Sequence, residues 1–238
     1  MAYTYILTSR KSLLAVLSIL LIAFTAQAQT PTAEDLLAQV KVKLDKVNDY
    51  EAAGRMKTNV IFIKAPIAKI KVYYKKPDKL RIKNESGVSF IPKGSMNINL
   101  GSLFVQGEGY DIIDGGKDEV TKLRVIKMLP REENMDIVLS TLYIDEANAL
   151  IKRAKTTSRE NGTYEVELTY GKYAEYGLAD KVIFSFNTKD YKLPKGVTFD
   201  YEDGEEKKPS LPKGKKGRVE ITYSSYIINK GVPDSVFK

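Results

Sequence analysis

The chain has 238 residues with 38 basic and 30 acidic side chains, a formal net charge of +8, and neither histidine nor cysteine. These absences exclude Ser-His-Asp and Cys-His nucleophilic sites, histidine-ligated metals and disulfide bonds. Any catalysis would have to use carboxylates, lysine or tyrosine. The basic excess is mild and the lysines are spread along the chain, which favours a solvated surface over a nucleic-acid site.

The first residues have the pattern of a secretory signal peptide. Basic residues 10–11 precede an apolar run over residues 13–24, and Ala-Gln-Ala at residues 26–28 matches an A-x-A cleavage site. The run is shorter than the roughly 20 residues of a membrane-spanning helix. We therefore expect a signal peptide at residues 1–28 and a single domain at residues 29–238, located in a bacterial periplasm.

An amphipathic helix is predicted at the start of the mature chain. Either Thr30 with Pro31 as the first helical residue, or Thr32 followed by Asp35, would cap its N-terminus. Apolar residues then recur at helical spacing: Leu36, Leu37, Val40, Leu44 and Val47. We expect this helix to end near residues 50–54.

From residue 55 onward the side chains alternate between apolar and polar, which is the period of a β-strand. The clearest case is TYEVELTY at residues 163–170. Similar alternation occurs at residues 55–64, 69–75, 79–83, 122–128, 140–145, 148–156, 181–187, 196–202 and 218–228. Turn signals separate these strands at residues 76–78, 114–116, 146–148, 160–162 and 193–196, so we expect an antiparallel meander. A second short helix is expected within residues 95–109.

The predicted sheet is too wide for its helices to cover. Strands spaced about 4.8 Å apart make a ten-stranded sheet about 50 Å wide, whereas a helix is only about 10 Å across. The apolar side must therefore turn inward, as a barrel, a half-barrel or a sandwich. An apolar interior with few helices and no recognisable catalytic residues indicates a carrier of an apolar ligand.

Several segments, taken in order, resemble one protein family. They are KPDKLRI at residues 76–82, Asp-Gly at 114–115, LYID at 142–145, LPKGVTF at 193–199 and IINKGVPDSVF at 227–237. With the signal peptide and the first helix, they make the mature chain similar to the LolA-like outer-membrane lipoprotein-sorting family. The resemblance implies a mainly β (α+β) fold, an antiparallel meander curled into an open half-barrel. It also implies an N-terminal amphipathic helix and a short helical lid over an apolar cavity.

The same resemblance implies a function and its partners. It implies a periplasmic carrier or chaperone that accepts the acyl chains of lipoproteins, or another lipid, from an inner-membrane transporter. The carrier then passes this cargo to an outer-membrane acceptor. We expect no enzymatic activity, no cofactor, no metal and no nucleic-acid partner, and we expect a monomer.

The candidate binding residues are one arginine and eight wall residues. In the family, the arginine that follows the proline ties its strand to the lid, and the matching residue is Arg81. Strand alternation places Arg81 on the face opposite Leu80 and Ile82. For the cavity wall we expect the apolar faces of the strands, namely Val72, Tyr74, Val166, Leu168, Phe184, Phe186, Val197 and Phe199. The alternative for each wall residue is ordinary core packing.

Two other functions remain open. An envelope sensor or scaffold would use the same half-barrel to detect lipids or misplaced lipoproteins and would signal through a partner protein. A carboxylate-dependent hydrolase would need two acidic residues on facing strands. The acidic residues of the strands alternate outward and fit a solvated face better: Glu165, Glu167, Asp200 and Glu202. The acidic run at residues 200–206 lacks the spacing of a calcium loop.

Overall fold

The structure, a computed structural model, describes residues 31–60, 63–64, 67–86, 109–132, 135–160, 162–187 and 216–238. The chain divides into two units, Met1–Thr32 and Ala33–Lys238, and the fold belongs to the second. The helices among the described residues are α1 (Ala33–Asp45) and two 3-10 helices, Ala174–Tyr176 and Asp234–Phe237. The strands are β1 (Asp49–Val60), β2 (Ile63–Lys64), β3 (Ala68–Lys75), β4 (Lys79–Ser86), β5 (Tyr110–Lys117), β6 (Arg124–Pro130), β7 (Ile137–Asp145), β8 (Leu150–Ser158), β9 (Gly162–Thr169), β10 (Lys181–Asn187) and β11 (Lys216–Ile228).

All of these strands belong to one antiparallel sheet. Strands β5 to β11 follow one another as a meander, and β11 then pairs with β1, which continues through β3 to β4. The short strand β2 pairs only with β1. The edges of the sheet are β4 and β5, which do not pair with each other, so the sheet is not closed. The predicted open half-barrel with one N-terminal helix is confirmed.

The predicted alternation is confirmed in most of the described strands. The face of β3 that was expected to be apolar is buried: Ala68, Ile70, Val72 and Tyr74. Strand β10 has the predicted bounds, residues 181–187. The signal peptide, the strand at 196–202, the acidic run at 200–206 and the short helical lid lie outside the described residues, apart from Gly109 at the end of the lid segment.

The helix α1 ends earlier than predicted. It stops at Asp45, and β1 begins at Asp49. Tyr50 pairs with Tyr74 on one side and with Ile228 on the other, so sheet pairing takes over the residues that were assigned to the helix. The local pattern was weak here because residues 52–54 are Ala-Ala-Gly, which carry little apolar signal.

The Asp-Gly-Gly sequence at residues 114–116 is part of β5, and the prediction of a turn there is wrong. Asp114 pairs with Ile126, and the register shifts before Lys117 pairs with Arg124. Gly116 absorbs this irregularity with a φ of 72°. The chain reverses four residues later, where the Asp118 carboxylate accepts a 2.7 Å hydrogen bond from the Thr121 amide.

Helix α1 packs its apolar stripe against the concave face of the sheet. Its buried residues belong to the same core cluster as the strands: Ala33, Leu36, Leu37 and Val40. The C-terminal end of the helix is held by hydrogen bonds to the β3–β4 and β7–β8 turns, one from a turn side chain and one to a turn carbonyl. Lys76 Nζ donates a 3.1 Å hydrogen bond to the Asp45 carbonyl, and Lys43 Nζ donates to the Asn148 carbonyl.

Candidate functional site: the apolar face of the sheet

The side chains that face α1 form a mainly apolar surface across the sheet, which we call the apolar face. Residues directly opposite each other in antiparallel strands share a face. Val72 is opposite Ala52, and Phe184 is opposite both Val166 and Val219. Following these pairs across the sheet places six predicted wall residues on the apolar face, all of them buried: Val72, Tyr74, Val166, Leu168, Phe184 and Phe186. The other two, Val197 and Phe199, lie outside the described residues.

Arg81 lies on the opposite, polar face. It pairs with Tyr73, whereas Leu80 and Ile82 pair with Tyr74 and Val72 and pack against the core. The Arg81 guanidinium donates a hydrogen bond to the backbone carbonyl of Lys238. In the described part of the chain, Arg81 therefore ties β4 to the C-terminal segment, and a contact with the lid remains a proposal.

Tyr164, Phe184 and Phe186 form a row of aromatic side chains on the apolar face, which we call the aromatic row. The ring centroids of Tyr164 and Phe184 are 5.5 Å apart, and those of Phe184 and Phe186 are also 5.5 Å apart. The partner of Phe186 on β11 is Gly217. We call this end of the sheet the loop end, because the chain leaves it at residues 86 and 187 and returns at residues 109 and 216.

The opposite end of the apolar face carries a tyrosine cluster that the sequence pattern did not reveal. We call it the tyrosine end and define it by Tyr50, Tyr74, Tyr223 and Tyr226. The Tyr50 ring lies 5.3 Å from both Tyr74 and Tyr226, and Tyr226 donates a 2.7 Å hydrogen bond to the Ala179 carbonyl. Burial raises the pKa values of Tyr50, Tyr223 and Tyr226 well above their usual 10.0, so these phenols stay neutral at physiological pH.

A charged corner at the edge of the apolar face was also missed. Arg124 pairs with Ile144, so it shares the face of Ile126 and Leu142. Its guanidinium forms an ion pair with Asp114 and approaches Glu146 at 3.6 Å. The Arg124 Nε and Glu146 Oε1 atoms are buried and lack a hydrogen-bond partner among the described residues.

Of the carboxylates weighed for a hydrolase, Glu165 and Glu167 lie on the polar face, and Asp200 and Glu202 lie outside the described residues. Glu165 is opposite Lys155 and Ser185 and forms a 3.7 Å ion pair with Arg153. Glu167 is exposed. The described residues contain no group of acidic side chains able to hold a metal ion, and none of their helices has the length and hydropathy to cross a membrane.

Comparison with known proteins finds similar structures but no similar sequences. No protein-family model and no curated protein matches this chain. A domain assigned to outer-membrane lipoprotein sorting from Vibrio parahaemolyticus is similar, with a TM-score of 0.52, 9% identity, and coverage of 85% of this chain and 94% of that one. A LolA superfamily protein from Nitrosomonas europaea has a TM-score of 0.52 and 10% identity over 84% of this chain and 96% of its own. A DUF1329 family protein from Desulfovibrio piger has a TM-score of 0.50 and 12% identity over 84% and 95%. These likenesses show that the chain has a LolA-like fold.

Proposed function

We propose that this protein is a periplasmic carrier that binds the acyl chains of lipoproteins, or of another lipid, on the apolar face. It would move this cargo from an inner-membrane transporter towards an outer-membrane acceptor without chemical change. The observation that supports the proposal is the apolar face, which extends across a sheet that is not closed into a barrel. The LolA-like fold supports it further.

The free energy of binding has to be limited if the cargo is to leave again. Burial gives about 0.8 kcal/mol per CH2 group, so a chain of about 16 carbons gains about 12 kcal/mol before any cost is subtracted. Helix α1 buries Leu36 and Val40 against the apolar face. Displacing such contacts when the cargo enters would offset part of the gain, so transfer to the next site would be nearly balanced.

Dye binding tests the proposal. We expect the apolar dye 1-N-phenylnaphthylamine to bind the mature protein with enhanced fluorescence. Changing Phe184 or Phe186 to aspartate should weaken that binding by at least about tenfold, because each variant places an unpaired charge on the apolar face. Fluorescence titration gives the affinity, and circular dichroism reports whether each variant has folded.

The matched control is Ser185→Asp. Ser185 lies between the two phenylalanines on β10 but pairs with Glu165 and Arg218 on the polar face. This variant should bind the dye as the wild type does. If the wild-type protein bound no dye, or if all three variants bound it equally well, the apolar face would not be the binding site.

A sensor or scaffold on the same fold is the second candidate, and exposed apolar residues on the polar face favour it. Ile113 and Leu129, on neighbouring strands, are 48% and 37% exposed and would suit contact with a partner protein. Native purification distinguishes the two roles. A sensor would retain one regulatory protein, whereas a carrier would retain lipid or lipoprotein that mass spectrometry can identify.

A further inference from the structure

A row of hydroxyl groups interrupts the apolar face near the loop end. Ser140 on β7, Thr156 on β8 and Tyr164 on β9 occupy directly opposite positions. Ser140 and Thr156 are 0% and 2% exposed, and their Oγ atoms are 3.1 Å apart. The adjacent row on the same strands contains only apolar side chains: Leu142, Ala154 and Val166. We call the three hydroxyl-bearing residues the hydroxyl row.

The fold does not need these hydroxyls. The backbone hydrogen bonds of β7, β8 and β9 form whichever side chains the strands carry, and a buried hydroxyl is tolerated only when it is hydrogen-bonded. Apolar side chains of similar shape at positions 140 and 156 would fill the same space, and such an exchange is close to neutral or stabilising. The hydroxyl row therefore calls for an explanation other than stability.

The hydroxyl row has one more proton to donate than it uses internally. Each hydroxyl can donate one hydrogen bond. Ser140 and Thr156 share one bond. Burial raises the pKa of Tyr164, and a hydrogen bond from the Thr156 side chain partly opposes that rise. When Ser140 donates to Thr156 and Thr156 donates to Tyr164, the phenol proton of Tyr164 has no acceptor within the hydroxyl row.

The side chain of Tyr164 lies on the apolar face. Tyr164 is half-buried and its ring packs against Phe184, one of the proposed wall residues. From Gly217 towards the tyrosine end, β11 runs for about 30 Å to Tyr226 at about 3.4 Å per residue. A hydrocarbon chain could follow that length while its polar end stays at the hydroxyl row.

We infer that the hydroxyl row binds the neutral carbonyl oxygen of an acyl ester or amide. The inference rests on the proposed function and specifies its ligand as an acylated molecule, in contrast to a bare hydrocarbon or a free fatty acid. A carbonyl accepts a hydrogen bond and donates none, which matches the one proton that Tyr164 has left. An ionised fatty-acid carboxylate would lose its hydration beside Phe184 and Met128 without a cation to compensate it within the hydroxyl row.

Competition between two lipids tests the inference on the wild-type protein. 1,2-Dioleoylglycerol has two ester carbonyls, and its di-ether analogue has the same chains without them. Each is titrated against bound 1-N-phenylnaphthylamine. We expect the ester to displace the dye at about three- to tenfold lower concentration than the ether, which is the range that one net hydrogen bond supplies.

Three variants assign the effect to the hydroxyl row. Tyr164→Phe should abolish the preference for the ester, measured as the ratio of the ester and ether concentrations that displace the dye. The double change Ser140→Ala with Thr156→Val should reduce the preference without lowering the melting temperature. The matched control is Thr157→Val. It breaks a 3.0 Å hydrogen bond between the Thr157 and Thr163 hydroxyls on the polar face of β8 and β9. This control should keep the full preference.

The possible outcomes separate the inference from the proposed function. If the dye binds but the ester and the ether compete equally, the inference is overturned and the carrier proposal stands. If Tyr164→Phe keeps the preference for the ester, the hydroxyl row is not its origin and the inference is again overturned. If the wild-type protein does not bind the dye, both are overturned.

Discussion

Gly217 is the residue that makes room for Phe186. A Cβ atom at position 217 would lie 2.3 Å from Phe186 Cζ, so the ring occupies the space that any larger side chain would need. The ring therefore lies across β11 on the apolar face. A larger side chain at position 217 of β11 would displace the Phe186 ring.

The variant Gly217→Ala should displace the Phe186 ring. We expect the free energy of unfolding to fall by about 1–3 kcal/mol, the usual cost of an added methyl group in a packed site. Urea denaturation followed by circular dichroism measures the change, and dye titration should show weaker binding.

The control for that variant is Gly109→Ala. A Cβ atom at position 109 would have no heavy atom of the described residues within 4 Å. We expect a change of less than about 0.5 kcal/mol in the free energy of unfolding. Equal effects of the two substitutions would show that Phe186 does not depend on Gly217.

At the scale of single residues, strand alternation predicted which side chains share the apolar face, but it missed two of them. The clearest case is Val166, which lies between Glu165 and Glu167 in a regular strand. Strand alternation missed Tyr226 and Arg124. No local pattern indicates that Arg124 shares the face of Ile126, since its partners Asp114 and Glu146 come from β5 and from the β7–β8 turn.

At the scale of the elements, the bulge in β11 explains why Tyr226 was missed. Ala53 is opposite Ser225, but Gly54 is opposite Tyr223, so β11 has one extra residue at this point. Strict alternation would place Tyr223 and Tyr226 on opposite faces, and the extra residue returns them to the same face. Gly54 permits the close approach, because a Cβ atom there would lie 2.7 Å from the Thr222 carbonyl oxygen.

Deletion of Ser224 should therefore be tolerated. Without the extra residue, β11 becomes regular and both Tyr223 and Tyr226 remain on the apolar face. The lost bond is the 3.1 Å hydrogen bond from Ser224 Oγ to the Ala53 carbonyl. We expect the free energy of unfolding to fall by about 1 kcal/mol in urea denaturation.

Deletion of Glu220 is the comparison. It removes a residue before the bulge and would turn Ile221 and Tyr223 towards the polar face. We expect a loss of at least about 3 kcal/mol, since two apolar side chains leave the core. Similar losses for the two deletions would mean that the bulge does not set the register.

At the scale of the elements, strand pairing also overrode two local sequence patterns. The turn predicted at Asp114 became strand because β5 has a partner in β6 up to Lys117. The helix stopped at Asp45 because β1 pairs with both β3 and β11. The pairing of β1 with β11 joins strands far apart in sequence, and turn signals report only on neighbours along the chain.

At the scale of the whole molecule, the hydroxyl row proposed for the polar end of the ligand lies near the loop end, so fixing the C-terminal end of α1 should not affect binding. The chain has no cysteine, and an introduced pair can form a single defined disulfide. A Cβ atom at position 177 would lie 3.8 Å from Lys43 Cβ, which suits a disulfide, since the mean Cβ separation is about 3.8 Å.

We expect the double variant Lys43→Cys with Gly177→Cys to bind the dye equally well when oxidised and when reduced. Gly177 has a φ of 65°, so the new side chain adds some strain, and the end of the Leu44 side chain must shift. The reduced form of the same protein is the control for both effects. Loss of dye binding on oxidation, restored by dithiothreitol, would show that this end of the helix moves during entry.

The unjoined edges β4 and β5 have a consequence for the range of cargo. A fully closed barrel has a fixed circumference, and widening it would break backbone hydrogen bonds. Here the edge strands β4 and β5 can move apart while the backbone hydrogen bonds of the sheet are kept. Only side-chain contacts would be lost. Molecules with different numbers of fatty tails could thus be accommodated by the same protein without a change in its secondary structure.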